Sequence, residues 1–182
     1  MYKLFVFICA LIIICVAIAI RIINLFYIRR TIRNLLIKLT HEFDQEGVEY
    51  WVDFGTLLGI MREKDVIIGD NDGDVCVLPS NKEKVERVVT KMGGRYFDWG
   101  AFRVYNGDIF IDIYVVNEDS SDYKNIEKYI NPVQKETVSL GGHSFTASIP
   151  NKPTELLEDR YGKNWRTPVY NWYFLYFNFS GS

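Results

Sequence analysis

The chain has 182 residues, 48% of them hydrophobic and 24% charged, with a formal net charge of −2. That length allows one domain plus an appendage rather than two full domains. The near-neutral balance provides no basic field for a nucleic-acid partner, so none is expected. Cys9 and Cys15 fall in an apolar run and Cys76 in an apolar stretch, with no pair at metal or disulfide spacing, which excludes cysteine chemistry.

Residues 4–20 carry no charge and are almost all Leu, Ile, Val, Phe, Ala or Cys. As a helix that run rises about 26 Å, slightly short of the hydrocarbon core of a bilayer at roughly 30 Å. Ile22, Ile23, Leu25, Phe26 and Ile28 close the gap if Arg21 snorkels and Asn24 faces the headgroups. Residues 1–28 therefore read as a single transmembrane anchor. A cleaved signal peptide is the competing reading, with Ala17-Ile18-Ala19 as a small-residue cleavage site, but the apolar run continues past that point. Basic residues follow at Arg21, Arg29, Arg30, Arg33 and Lys38. They read as a membrane-flanking signal, and the positive-inside rule then favours a cytoplasmic catalytic domain. The secretory-pathway lumen is the other side, and the sequon Asn178-Phe179-Ser180 would report it if occupied.

Residues 29–46 predict a juxtamembrane helix, with Ile32, Leu35, Leu36, Leu39 and Phe43 at three- and four-residue spacing and Gly47 at its end. A catalytic domain over residues 47–182 follows, and a fragment from residue 40 is expected to be soluble. Residues 48–54 predict a strand, then Gly55-Thr56 and a short helix over 57–62. An acidic stretch, Asp70-Asn71-Asp72-Gly73-Asp74, leads into a strand over 75–78. Ser80 with Glu83 reads as a capping box for a helix ending at Gly93-Gly94. Residues 95–105 and 108–116 predict a hairpin about Asn106-Gly107. A polar loop over 117–131, a second hairpin about Gly141-Gly142, and a short helix over 154–161 with Gly162 at its C-terminus complete the pattern. The tail packs Tyr170, Trp172, Tyr173, Phe174, Tyr176, Phe177 and Phe179 together, which reads as a terminal strand over the core. The class is α+β, a small mixed sheet with flanking helices.

Three features carry chemistry. Asp72 and Asp74 are two apart at a strand mouth, so their side chains leave one face with Cα atoms roughly 6.5 Å apart. Carboxylates held so close suit a hard cation such as Mg²⁺, and Asp70 joins them two residues earlier. Asp112 interrupts an apolar strand and needs either a metal or an ion-pair partner such as Arg103; sequence leaves the two even. Gly55-Thr56 ahead of a helix offers backbone N–H groups and a hydroxyl to a phosphate. Strand, Gly-Thr, helix, Asp-x-Asp and a third Asp on a later strand form, in that order, the layout of nucleotidyltransferase-fold enzymes. His143 and His41 read as surface residues.

Trp51-Val52-Asp53-Phe54-Gly55-Thr56-Leu57-Leu58-Gly59-Ile60-Met61-Arg62 resembles the opening motif of the LicD/fukutin family. Residues 67–75 are similar to its acidic stretch, with Asp70, Asp72 and Asp74 in the acidic positions, although Ile68 and Gly69 replace the usual Pro-Trp. Asp112-Ile113-Tyr114 resembles the strand of the third carboxylate, and Val138-Ser139-Leu140-Gly141-Gly142 with residues 156–168 the closing segment. The resemblance implies transfer of a phosphorylated alcohol or sugar-alcohol, such as phosphocholine or ribitol phosphate, from a CDP-activated donor to a glycan or glycoconjugate acceptor. It implies Mg²⁺ or Mn²⁺ on Asp72, Asp74 and Asp112, donor phosphate on Gly55, Thr56 and Arg62, and Asp70 or Asp112 as the base. Two alternatives remain: a nucleotidyltransferase adding NMP with release of pyrophosphate, and an inactive membrane-bound glycan-binding member.

Overall fold

The computed structural model describes residues 2–168. The aromatic tail and the sequon at Asn178 lie outside the described residues.

Helix α1, Tyr2–Glu46, runs 45 residues without a break, roughly 68 Å. No glycine or proline falls within it. Its N-terminal part is apolar all round and exposed, long and apolar enough to cross a membrane. Burial begins at Thr31 and Ile32 and follows the helical period through Leu35, Leu36, Leu39, Thr40 and Phe43. The expected boundary between a juxtamembrane helix and the domain is therefore absent, because this half of α1 is core. A fragment beginning at residue 40 lacks Ile32, Leu35, Leu36 and Leu39, all under 10% exposed.

Strand β1 (Tyr50–Val52), helix α2 (Phe54–Leu58) and a π-helical turn (Gly59–Glu63) lead to β2 (Asp72–Val77). Helix α3 (Lys82–Lys91), strands β3 (Arg95–Phe97), β4 (Ala101–Asn106) and β5 (Ile109–Val115), and helix α4 (Ser121–Ile130) follow. The hairpin β6 (Gln134–Leu140) and β7 (His143–Ile149) precedes helix α5 (Pro153–Tyr161). The main sheet has the order β1-β2-β5-β4-β3. All its pairings are antiparallel except β2 with β5. Gly73, Val75 and Val77 with Ile111 and Ile113 form the face turned to α1. A Cβ on Gly73 would strike Ile111 and stand 3.5 Å from Ile32, so glycine here allows α1 to close on the sheet. The opposite face carries Asp72, Asp74 and Cys76 beside Phe110, Asp112 and Tyr114.

Several expectations are corrected. The capping box at Ser80 does not form: Pro79 opens a 3-10 turn, the helix starts one residue later at Lys82, and the Asn81 side chain accepts from the Glu49 amide at 3.0 Å. The strand expected over 95–105 breaks at Asp98, Trp99 and Gly100, so β3 folds back on β4. Asn106 pairs with Ile109, which makes Gly107 and Asp108 the turn residues; Gly107 supplies the positive φ of 65°. The loop expected over 117–131 is mostly α4, capped by Ser120, whose hydroxyl accepts from the Tyr123 amide. Two of the basic residues after the apolar run are also structural: Arg29 and Arg33 both pair with Asp65 at 2.9 Å. The second hairpin and the C-terminal helix stand where expected.

The test of α1 as core is deletion against truncation. A chain beginning at residue 29 should give a cooperative denaturant transition, and one beginning at residue 40 should not. Leu39→Ala, at a site with no exposure, should cost about 2–5 kcal/mol in the same measurement. A cooperative transition from the shorter chain would refute the assignment.

Candidate active site

The parallel pairing of β2 and β5 places Asp74 directly beside Asp112 and Asp72 beside Phe110. Directly opposed residues in a sheet share a face, so the pairing alone gathers carboxylates that lie forty residues apart in sequence. Asp70 reaches the same place from the loop before β2. The position of a Cβ on Gly55 would lie 2.9 Å from an Asp70 carboxylate oxygen and 3.4 Å from one of Asp74. The two carboxylates thus converge over a residue that has no side chain to obstruct them. Burial first, and then the charge of Asp72, holds the Asp70 carboxyl well above the usual range. Burial, then Asp72 and Asp112, pushes Asp74 up to about 7. Crowded, desolvated acids of this kind are stabilised by a proton or a cation.

Gly55 and Thr56 build this bed. The Gly55 backbone N–H faces the Asp74 carboxylate. The Thr56 hydroxyl oxygen accepts from the Asp74 amide at 2.7 Å, fastening α2 to β2. These contacts use groups that the sequence reading offered to donor phosphate. Arg62 turns elsewhere, donating to Glu63 at 2.9 Å and to the Trp165 carbonyl at 3.2 Å.

Asp112 has the ion-pair partner that sequence left open. Arg103, its registered neighbour on β4, meets both carboxylate oxygens, at 2.5 and 2.8 Å. The guanidinium also lies 3.6 Å over the Phe110 ring. Among the described residues, no three His, Cys, Asp or Glu side chains are already gathered around one point at ligand spacing. Mg²⁺ seldom requires such a cage, since it is commonly held by one or two carboxylates plus water and substrate phosphates. Asp72 and Asp74 fit that donor set.

Beyond the carboxylates opens a cavity of about 590 Å³, walled by Phe54, Trp99, Tyr114 and Arg160 and edged by Asn117 and Asn125. Tyr114 stacks edge-on to Phe54 at 5.6 Å and tilts against Trp99 at 5.9 Å. Burial, and after it the charges of Asp74 and Asp112, raises the Tyr114 phenol, which stays protonated at neutral pH. The volume is in the range of small-molecule sites. Sequence reasoning missed this wall, together with the latch beside it. Asp53 is fully buried and accepts from the Phe54 amide, the Trp51 indole and Arg160, at 2.8, 3.1 and 2.7 Å. Arg160 lies 4.2 Å over the Phe54 ring. Phe54 itself has φ +47, unusual for a bulky residue and of the sort that persists only where its surroundings enforce it. A carboxylate two residues before the Gly-Thr pair, at the N-cap of α2, was the available signal for Asp53; nothing local marked Arg160. His41 and His143 are exposed.

The Arg103–Asp112 pair predicts a stability signature. Asp112→Asn should lower stability without metal by roughly 1–3 kcal/mol, because Arg103 loses its counter-charge while relief of Asp74 partly offsets the loss. Adding Arg103→Met should recover part of it, a coupling read from a double-mutant cycle of urea transitions. Full additivity of the two changes would show that the pair contributes nothing.

A family model described as LicD/FKTN/FKRP, nucleotidyltransferase domain, matches residues 47–154. An uncharacterized protein of Rickettsia prowazekii (strain Madrid E) is 25% identical over 91 residues, covering 48% of this chain and 34% of the relative. One from Rickettsia typhi (strain ATCC VR-144 / Wilmington) is 26% identical over 94 residues, covering 50% and 30%. The chain thus spans about a third of the length of the curated relatives it matches. Among solved structures, the antibiotic-resistance factor ANT(2'')-Ia in solution is similar at TM-score 0.49 and 19% identity, over 66% of each chain. A putative nucleotidyltransferase of Thermotoga maritima is similar at TM-score 0.45 and 14% identity, over 70% of this chain and 83% of that one. At these scores neither speaks to what this chain binds.

Proposed function

Because the chain belongs to the LicD/FKTN/FKRP family through its nucleotidyltransferase domain, we propose that it transfers a phosphorylated alcohol or sugar-alcohol from a CDP-activated donor to a glycan hydroxyl. The observation that carries the reading is the convergence of Asp70 and Asp74 over Gly55 beside an aromatic-walled cavity. Asp72 and Asp74 would hold Mg²⁺ or Mn²⁺, with Asp112 joining when Arg103 releases it. Such an ion supplies charge neutralisation for the donor phosphates.

The chain's own residues do the rest. Trp99, Tyr114 and Phe54 offer aromatic surface for the nucleotide's base. Arg160 provides the cation in the cavity wall, the part first assigned to Arg62. The Thr56 hydroxyl, already accepting from Asp74, keeps its proton to donate to a phosphate oxygen. With both Asp112 oxygens engaged by Arg103, Asp70 is the carboxylate that takes the proton of the acceptor hydroxyl. The acceptor oxygen bonds to the phosphorus of the phospho-alcohol, the bond from that phosphorus to CMP breaks, and CMP leaves. Helix α1 anchors the enzyme in the membrane through residues 2–28.

The test is a donor screen by mass spectrometry on the full chain in nanodiscs, with CDP-choline, CDP-ribitol and CTP as probes. Release of CMP that depends on Mg²⁺ or Mn²⁺ is the expected result. Pyrophosphate from CTP would establish the NMP-transfer alternative, and glycan binding without turnover the inactive one. Asp72→Asn and Asp74→Asn should each lower transfer by about a hundredfold or more. Both should leave melting without metal unchanged or raised, since one of two crowded charges is gone, and both should shrink the metal-induced shift.

A further inference from the structure

We propose that the acceptor reaches the carboxylates from the bilayer side, as the headgroup of a glycolipid or lipid-linked saccharide, rather than as a water-soluble glycan. The proposal rests on the transferase reading above and on α1 as an anchor. Its source is the continuity of α1. A helix with no break, glycine or proline between its exposed apolar part and its core part fixes the height of the domain above the membrane. Ile32 lies 3.5 Å from the Cβ position of Gly73, between Asp72 and Asp74. The axial distance from Ile28, the last apolar residue of the span, to Ile32 is about 6 Å, and from Arg21 about 17 Å. The headgroup layer adds about 5–7 Å on each side of the hydrocarbon core. The carboxylates thus stand within or just above it.

The sheet gives the direction. Strand β2 begins at Asp72 beside Ile32, and its C-terminal end meets the far end of α1: Val77 pairs with Tyr50, whose ring packs 5.3 Å from Phe43. Because β5 is parallel to β2, its start is also at the membrane end. The loop before β2 is fastened to the membrane end of α1 by Asp65, paired with Arg29 and Arg33, and by the Val66 carbonyl, which accepts from Arg29 at 2.8 Å. Gly141, at the β6–β7 turn, donates to the Lys64 carbonyl at 2.8 Å beneath Arg33. The cavity opens at the other end, beyond Cys76 and Tyr114 on the two parallel strands. A donor seated there presents its phosphates toward the bilayer, with the carboxylates between. In the loop that Arg29 and Arg33 fasten to α1, Ile68 is 46% exposed two residues before Asp70, and Lys64 in the same loop and Arg30 on α1 are exposed. An exposed apolar side chain and exposed cations suit acyl boundary and anionic headgroup alike.

The experiment uses the full chain in nanodiscs carrying a headgroup-nitroxide lipid. A fluorophore is placed by Ile68→Cys or by Lys124→Cys, each with Cys9→Ser and Cys15→Ser. The label at position 68 should be quenched more strongly than that at 124. A seven-residue polar helical insert between Tyr27 and Ile28, lifting the domain about 10 Å, should abolish the difference. Equal or reversed quenching in the uninserted chain would overturn the proposal. In the same discs, doped with total membrane lipid, radiolabel from CDP-choline or CDP-ribitol should enter material extractable into organic solvent. The insert should reduce that incorporation by about tenfold or more, since small misplacements of a reacting group are costly. Label entering water-soluble glycan, unaffected by the insert, would overturn the lipid-borne acceptor alone. No CMP from any donor would overturn the transferase reading and this proposal with it.

Discussion

Like charges at the mouth of β2 are the constraint around which this structure is arranged. Asp70, Asp72, Asp74 and Asp112 lie close together in a partly desolvated place, where burial and then the charge of Asp72 raise the cost of ionising Asp70 and Asp74. Their neighbours are what make the gathering tolerable. Gly55 leaves the space that Asp70 and Asp74 fill, Thr56 fastens the Asp74 backbone, and Arg103 neutralises Asp112 while resting on Phe110. Asp53 would add a further charge, but Arg160, the Trp51 indole and the Phe54 amide absorb it. A site so arranged is costly with its carboxyls ionised and is relieved by a proton or a positive charge.

Helix α1 joins an exposed apolar rod, long enough to cross a membrane, to a core helix on one backbone. Its first part is apolar on every side and uncovered among the described residues, while residues 31–43 show a single buried stripe. The same rigid rod therefore links the exposed apolar part directly to the sheet that carries the carboxylates. The ion pairs of Arg29 and Arg33 with Asp65 stand at the junction, where they fix the loop that delivers Asp70. A flexible linker at this point would have left the exposed part of α1 free to swing relative to the sheet.

Residue type and spacing were sufficient for the local features. The apolar period of α1, the Asp-x-Asp at a strand mouth and the Gly-Gly hairpin all depend on neighbours a few residues away, and all were legible; Gly55-Thr56, expected as a turn ahead of a helix over 57–62, instead lie inside α2, which Asp53 caps. Failures came where a local signal met a competing contact. Ser80 had the spacing of a capping residue, yet Pro79 had already started a turn and Asn81 was drawn to Glu49. The segment over 117–131 looked polar because α4 presents only Tyr123, Ile126, Tyr129 and Ile130 to the core.

The sequence by itself determined the acids, their spacing along β2, the family motif and the apolar helix, since each is a property of consecutive residues. Only the tertiary structure decided which strand lies beside β2, and so that Asp112 neighbours Asp74 and is claimed by Arg103. It alone placed Arg160 on Asp53, across more than a hundred residues of chain, and opened a cavity at the ends of two parallel strands. These arrangements depend on strand order and register. Both are set by which apolar faces can be buried together, a choice made by the whole core and written in no single segment.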